Sequence, residues 1–497
     1  MRLTLNEVKK KIAGMVPSGL EYDVDVEAGS IAIITSDPQS FGKGGGESLT
    51  VKIAKSIKRR VVVRPHPNLL LSEDKVEQRV KELIPAEAEV RNVFIDPALS
   101  EVTIECDDPS VAVGPKGSVI QALRDDIGWL VNVARAPAFE SRTQHDIRRY
   151  RREMADERRA LLRKFGTRIY RPKRRGPSWA RLTALGSYRE VGRAMHLVTT
   201  NESRVLVDVG AKPTTNKNEI QPFFTAPELL PLENIDAVVI THAHVDHIAM
   251  LPVLFRYGYR GPVYCTPPTR DLMTLLQIDY IKVAKAEGVE PPYSKADIQE
   301  CIKHVVDISH GDKTDIAPDI KISLENAGHI LGSSSVYMQI GEANNEHRLL
   351  FSGDIKYEKS WLFDAATVRF PRADTLVIES TYGGPQDFQP NRVDATQEIQ
   401  DLIKLAVSRS GKVFCPVFAV GRSQEVMLAI DQLFKSGDVS PVTVWLDGMI
   451  SEATAIHASH PDSSTGIYGD RFSREAKRTH STHRGSSRST PESRGSR

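Results

Sequence analysis

The sequence predicts an α/β protein preceded by two small α+β modules, and three observations carry that prediction. From Trp179 onward, short apolar runs alternate with helical patterns: LTALGSY, AMHLVTT, RVLVDVG, AVVITHAH, GPVYCT, RLLFSGD, TLVIEST and KVFCPVF read as strands. This is the texture of sheets covered by helices. Over the first 140 residues one order of elements occurs twice at matching spacing, which marks a duplicated supersecondary unit. Between a strand-like run (Asp236 to Thr241) and a helix-like one (Ile248 to Leu254) lies His242-Ala243-His244-Val245-Asp246-His247. Neutral imidazole and carboxylate are the ligands a borderline cation such as Zn²⁺ prefers. A surface turn has no packing reason to gather three histidines and an aspartate.

A length of 497 residues allows about three domains. No stretch approaches the roughly 20 apolar residues of a membrane span, so no membrane partner is expected. The N-terminal MRLTLNEVKKKIAGMV is broken by Glu7 and three lysines, and it reads as a helix rather than a secretion signal. Cys106, Cys265, Cys301 and Cys415 lack zinc-ribbon spacing. They read as small buried hydrophobes in a reducing cytoplasm, which is the expected location.

The first unit, residues 1–68, predicts helix (5–16), strand (22–27), strand (31–35), glycine loop (42–46), helix (48–57) and strand (60–64). The second, 69–140, repeats the order with helix (72–84), strands (91–95, 102–106), glycine loop (114–117), helix (118–126) and strand (130–134). Its loop, Gly114-Pro115-Lys116-Gly117, enters a helix N-terminus, where backbone N–H groups and a lysine suit a nucleic-acid backbone. In that position VAVGPKGSVIQAL resembles the KH domain, an RNA-binding module. The first loop, Gly42 to Gly46, fits either a degenerate KH loop or a flexible turn.

Residues 141–178 form a predicted helical linker crowded with arginine and lysine. A solvated helix would explain Glu153, Asp156 and Glu157. The one-signed excess after Glu157 favours a face turned to a polyanion. The α/β core is expected over 179–383 and a further, incomplete domain over 384–462. The stretch 463–497 is poor in apolar residues and reads as disordered. Its abrupt onset suggests a tail that is not the natural continuation, as after a frame change near Pro461.

Further ligand candidates stand in similar settings: His329 on a glycine-flanked turn, Asp354 after the strand ending at Phe351, and Asp208 within VLVDV. With the histidine cluster they are ordered as in the metallo-β-lactamase fold, which 183–384 resembles. That resemblance implies an αββα sandwich. It also implies one zinc on His242, His244 and His329, and a second on Asp246 and His247. Asp354 would bridge them and Asp208 would orient the metal-binding turn. Glu379, in IESTYG, resembles the acidic motif opening the β-CASP domain of nucleic-acid-cutting members, and Arg422 in the following KVFCPVFAVGRSQEV is placed to touch phosphate.

Two KH modules, a metallo-β-lactamase core and the start of a β-CASP domain together resemble the archaeal KH-containing relatives of the cleavage and polyadenylation specificity factor nuclease. The family cuts RNA 3′ ends and acts in transcription termination. The implied activity is two-zinc hydrolysis of RNA by a shared hydroxide, endonucleolytic with possible 5′-to-3′ exonuclease action. The implied catalytic residues are Asp246 and Glu379. RNA would be met by Gly114, Pro115, Lys116, Gly117 and Arg422. Implied partners are RNA, RNA polymerase or its elongation complex, and a second copy of the chain. In the family, two further histidines follow the β-CASP insertion, and this sequence is expected to end before both. A second reading is therefore an RNA-binding but catalytically impaired member. A third, a small-molecule metallo-hydrolase, explains the histidines but not the KH pair or Glu379. His457 and His460 are expected on a helix surface.

Overall fold

A computed structural model describes residues 3–42, 47–173, 179–214, 216, 219–341 and 346–463. Most of the first glycine loop and the predicted tail after Ser463 lie outside the described residues.

The duplication is visible in strand pairing. The first module runs α1 (Leu5–Ala13), β1 (Tyr22–Glu27), β2 (Ser30–Thr35), α2 (Pro38–Gly42), α3 (Leu49–Ile57), β3 (Arg60–Pro65). The second runs α4 (Glu73–Leu83), β4 (Val90–Asp96), β5 (Glu101–Cys106), α5 (Pro109–Val113), α6 (Ser118–Ile127), β6 (Leu130–Arg135). In each, the first two strands pair antiparallel and the third joins the second in parallel. Helix α1 starts where the Thr4 hydroxyl accepts the Glu7 N–H and the Glu7 carboxylate accepts the Thr4 N–H, a reciprocal cap. The amphipathic helices bury Ile12 and Ile53 against Ile31 and Ile33 in one module, and Val80 and Leu123 against Ile104 in the other. Helices α2 and α5 were not foreseen, because five residues are too few to show a helical period.

The linker corrects one expectation. Its helices α7 (Arg142–Glu153) and α8 (Ala155–Ile169) turn many of their arginines to carboxylates of the neighbouring modules, while Arg142 and Lys164 stay exposed. Arg148 binds Glu105 at 2.7 Å and Arg158 binds Asp96 at 2.8 Å, both on the second module. Arg163 reaches Asp25 of the first module at 2.6 Å. Arg151 binds Asp307 at 2.7 Å, and Arg168 and Arg171 grip Asp236, on the α/β core. Much of the positive charge clamps modules to core, and sequence does not show this because the carboxylates lie far away along the chain. Arg158 is 3% exposed, so Arg158→Ala should leave Asp96 with only Arg151, 3.7 Å away and itself shared with Asp307. Urea melts should show about 2–3 kcal/mol less stability, below the fully buried range because Asp96 keeps some solvent contact. Arg149→Ala, with exposed partners Asp146 and Glu153, should change it by less than about 1 kcal/mol.

The core is a sandwich. Strands β7 (Ala180–Gly186), β8 (Met195–Thr200), β9 (Arg204–Val207), β10 (Ala237–Val239), β11 (Val263–Cys265) and β12 (Val305–Asp307) form a sheet in the order β12-β11-β10-β9-β8-β7. Strands β13 (Thr314–Ala317), β14 (Ile320–Asn326), β15 (Ser334–Ile340), β16 (His347–Phe351) and β17 (Thr375–Val377) form the other, in sequence order. Side-chain alternation divides the core. Val205, Val207 and Val239 face the second sheet with Leu324, Val336 and Phe351, whereas Leu206 and Val238 face the helical layer. That layer holds α9 (Val245–Ile248), α10 (Leu251–Arg256), α11 (Pro267–Ala286) and α12 (Lys295–His304). No described helix is long and apolar enough to cross a membrane. Cys106, Cys265 and Cys301 are buried as expected, but Cys415 is exposed.

The last described region has helices α13 (Arg392–Ser408), α14 (Arg422–Ser436) and α15 (Ile450–Ala458). The expected strand KVFCPVF does not form, and neither does the apolar run PVTVWLDG. An apolar run becomes a strand only with a ladder partner, and among the described residues these runs have none. Phe414 and Trp445 stand 91% and 83% exposed.

Helix α15 also corrects the expectation for its histidines. His457 is buried beside Phe363, and His460 Nε2 lies 2.8 Å from the buried carboxylate of Asp271 in α11. Glu452 accepts hydrogen bonds from the Ser141 hydroxyl (2.6 Å) and Thr143 N–H (2.8 Å), fastening α15 to the start of the linker. Burial pushes His457 down to about 4 from its ordinary 6.5. Between those values the unfolded chain takes a proton that the folded chain refuses. This contribution therefore costs nothing above pH 6.5 and removes stability as pH falls toward 4, by at most about 3 kcal/mol. Denaturant melts at pH 7 and pH 5 should register it, and His457→Leu should flatten the difference.

Candidate metal centre

The predicted metal-site residues converge at the C-terminal ends of strands from both sheets. Parallel pairing of β9 with β10 sets Asp208 beside Thr241 and His242. Parallel pairing of β16 with β17 carries Asp354 and Glu379 out at the same end. Ser334 N–H donates to Thr241 O at 2.8 Å, joining the sheets at this edge and fixing the His329 turn before β15.

Asp208 is the organiser. At φ 59° it turns the chain out of β9. Its carboxylate accepts the Thr241 N–H and hydroxyl, each at 2.8 Å, and lies 2.8 Å from His247 Nδ1. An ionised carboxylate can only accept, so His247 keeps a proton on Nδ1, and its Nε2 offers a lone pair to a metal once its second proton is shed. Because the Thr241 hydroxyl donates to Asp208, it accepts from His242 Nδ1 at 3.0 Å, which frees His242 Nε2. The Ser333 hydroxyl accepts the backbone N–H of His329 at 3.1 Å and holds that turn.

The freed nitrogens face one another. His242 Nε2 and His329 Nε2 each lie 3.1 Å from His244 Nδ1. Asp354 Oδ2 is 3.5 Å from both His242 Nε2 and His329 Nε2, and the four ligand atoms all lie within 4.8 Å of one another. Asp354 Oδ1 faces a second group, 3.4 Å from His247 Nε2, which is itself 3.7 Å from Asp246 Oδ2. Burial holds His242 and His244 below their ordinary pKa and takes His329 to about 3. Burial opposes charge on Asp354 and His247 too, but is outweighed. His247 holds Asp354 ionised, and Asp208 with Asp354 raises His247. Three neutral nitrogens aimed at one point repel unless a cation lies between them, so the donor set fits a metal ion such as zinc.

Glu379 lies beside this pocket. Its N–H donates to the Ser352 hydroxyl at 3.0 Å, and its carboxylate accepts the Ile355 and Thr381 N–H groups, each at 3.1 Å. Arg422, at the start of α14, reaches the rim: neighbouring Gly421 packs on Ile330, and the Phe418 ring lies 6.4 Å from that of His244. Gly114, Pro115, Lys116 and Gly117 sit on the second module, with Lys116 exposed at φ 52°. Sequence reasoning missed Thr241, Ser333 and Gly210. Thr241 and Ser333 adjoin predicted ligand turns, and a small hydroxyl there was the available signal. Gly210 follows Asp208 by two residues, and only the approach of another chain segment reveals its role.

Comparison with known proteins places this geometry in a family. Residues 189–415 match the Metallo-beta-lactamase superfamily, and residues 2–70 match the KH domain of Transcription termination factor FttA. Transcription termination factor FttA of Methanosarcina mazei is 42% identical over 459 residues, covering 92% of this chain and 71% of the relative. The Thermococcus kodakarensis protein of that name is 43% identical over 466 residues, with coverage of 92% and 71%. The chain belongs to the FttA family. The Lokiarchaeum relative is 38% identical, covering 93% of this chain and 72% of its own. The KH match falls on the first module, the one whose glycine loop was the looser fit. The metal turn, Asp208, His329, Asp354 and Glu379 all fall within the metallo-β-lactamase match, a superfamily whose fold implies divalent-metal binding. Among solved structures, a protein of unknown function from Enterococcus faecalis V583 is a loose likeness (TM-score 0.37, 13% identity, covering 56% of this chain and 67% of that one).

Proposed function

We propose that this chain hydrolyses RNA phosphodiester bonds with two zinc ions, as a nuclease of the transcription-termination type. The observation that carries the reading is the carboxylate of Asp354, whose two oxygens face two separate donor groups. His242, His244 and His329 would hold one ion, Asp246 and His247 the other, and Asp354 both. Zinc supplies Lewis acidity there, activating water near neutral pH and offsetting charge on a phosphate during in-line displacement. Asp246, with Oδ2 toward the second group, is placed to take the proton of the attacking water. Asp208 fixes the His247 tautomer. Glu379 grips the backbone after Asp354 and so positions that bridge. The Gly114–Gly117 loop presents backbone N–H groups and the Lys116 ammonium to the strand. The relatives' name supports termination as the process; RNA, the elongation complex and a second copy of the chain are the partners this reading expects. A small-molecule hydrolase would have no use for the KH modules.

The test is cleavage of end-labelled single-stranded RNA by zinc-loaded protein, with and without chelator. Cleavage that disappears with chelator and returns with zinc is expected. Lys116→Asp should weaken RNA binding at low salt and leave zinc content unchanged, since the loop and the metal pocket are on different modules. No cleavage under any metal, with RNA still bound, would overturn the hydrolase reading. Unchanged affinity in Lys116→Asp would remove that loop from the RNA path.

A further inference from the structure

An aromatic ring stands in the open beside the metal pocket. Phe418 is 77% exposed, and its ring centroid lies 6.4 Å from that of His244, one of the first donor group. The two rings are tilted by 48°, so Phe418 is not stacked on the imidazole and keeps a face for another partner. The segment that carries it is fixed. The Phe418 carbonyl accepts the Ser423 N–H at 3.3 Å. The next carbonyl, of Ala419, accepts the Ser423 hydroxyl at 2.8 Å and the Gln424 side-chain amide at 3.0 Å. Gln424 also accepts the Gly421 N–H at 2.7 Å and donates to the Thr454 hydroxyl of α15 at 3.1 Å. Val420 is buried, and Gly421, at φ 86°, packs on Ile330, the neighbour of His329. The turn is thus anchored to the wall that bears a metal ligand, and its one large apolar side chain is left uncovered next to another. Phe414, in the same run, is 91% exposed, but among the described residues no ring contact joins it to the pocket.

A strand with one phosphate at the metals carries the adjoining base past this ring. Unpaired bases offer flat apolar faces that stack on aromatic side chains whatever their sequence. A phenyl ring on a fixed turn has little rotamer freedom to lose in making that contact. We infer that Phe418 is a stacking platform for the nucleobase next to the scissile phosphate, on the His244 side of the pocket. This rests on the RNA-hydrolase reading for its ligand. The platform favours single strands over duplex, because a base inside a helix has both faces covered by its neighbours. It also sets the register of the strand without reading its sequence, since every base has a π-face.

The experiment measures binding of the zinc-loaded full chain to a fluorescein-labelled oligouridylate by anisotropy, before turnover, in a series where one nucleotide at a time is replaced by an abasic ribose. Phe418→Ala should weaken binding of the intact oligomer by about tenfold. Phe418→Trp and Phe418→Tyr should retain affinity, whereas Phe418→Leu, apolar but without a π-face, should behave as alanine does. The slope of log K against log salt should stay at the parent value, because no phosphate contact is lost. Zinc content and thermal midpoint should also match the parent, since the side chain is exposed. Phe414→Ala should have no effect. Within the abasic series, one position should weaken the parent to the level of Phe418→Ala, and at that position the penalty of the substitution should vanish. Unchanged affinity in Phe418→Ala, a penalty present at every abasic position alike, or full affinity in Phe418→Leu would overturn the platform. If the RNA is bound with the expected pattern but never cut, the hydrolase reading fails while the platform stands. If it is cut and Phe418→Ala binds as the parent does, the platform fails while the hydrolase reading stands.

Discussion

The double substitution His242→Ala, His244→Ala should strip the first metal site and extinguish RNA cleavage. Two of its three nitrogen donors would be gone, leaving His329 Nε2 and one oxygen of Asp354. One imidazole and a shared carboxylate do not make the four-coordinate shell that zinc requires. Loss of one metal removes several kcal/mol of transition-state stabilisation, roughly a thousandfold or more in rate. The fold should survive. Removing His242 leaves the Thr241 hydroxyl bonded to Asp208, and His247 keeps its own bond to the same carboxylate. Zinc per chain, measured by atomic emission after dialysis, should fall by at least one ion, with a circular dichroism spectrum like that of the parent. Unchanged zinc content would remove these histidines from the metal-binding role.

Much of the candidate site was legible because its signal is local. Six consecutive residues, HAHVDH, carry four ligand-type side chains, and no element of a hydrophobic core calls for them. The partners His329 and Asp354 are single residues at strand ends. They became readable only through resemblance, since an aspartate after a strand is ordinarily a turn residue. The tautomers of His242 and His247 were beyond sequence reasoning, because they depend on one hydroxyl and one carboxylate 33 residues apart along the chain.

The fold divides along the same line. Strands β1 and β5 and helix α6 follow from alternation and periodicity within a single window. The linker arginines do not, because the carboxylates that neutralise them come from Asp25, Asp96, Glu105, Asp236 and Asp307. Charge counted along a helix therefore overstated the charge it offers to solvent. KVFCPVF and PVTVWLDG failed for the complementary reason: apolar alternation records a capacity to pair, and pairing is settled by a second strand elsewhere. His457 shows that a nine-residue helix with a weak apolar period can be buried by its neighbours, and His460, two residues past its end, is held by Asp271 of α11.

The second large effect is expected from one methyl group at Gly210. The segment after Asp208 lies flat against the metal turn. Val209 N–H donates to His247 O at 2.8 Å, Ala211 N–H to Val245 O at 3.1 Å, and Ala194 N–H to Asp246 O at 2.8 Å. This lacing fixes the backbone of Val245 to His247, and through it the direction of the Asp246 and His247 side chains. Gly210 lies at the closest approach, where a Cβ would meet Asp246 O at 1.6 Å and His247 N at 2.6 Å. Both are backbone atoms, so no side-chain rotation can make room. Gly210→Ala must therefore push the two segments apart and break the bonds between them, costing at least about 3 kcal/mol. His247 would lose its alignment with Asp208, and Asp246 its direction toward the pocket. Most of the first donor group should be spared, because His242 is held by Thr241 and the His329 turn by Ser333. Zinc should fall toward one ion per chain, the thermal midpoint should drop, and RNA cleavage should fall by orders of magnitude while RNA binding through the KH modules persists. Full zinc content and an unshifted midpoint in Gly210→Ala would mean that the metal turn is not held by this contact.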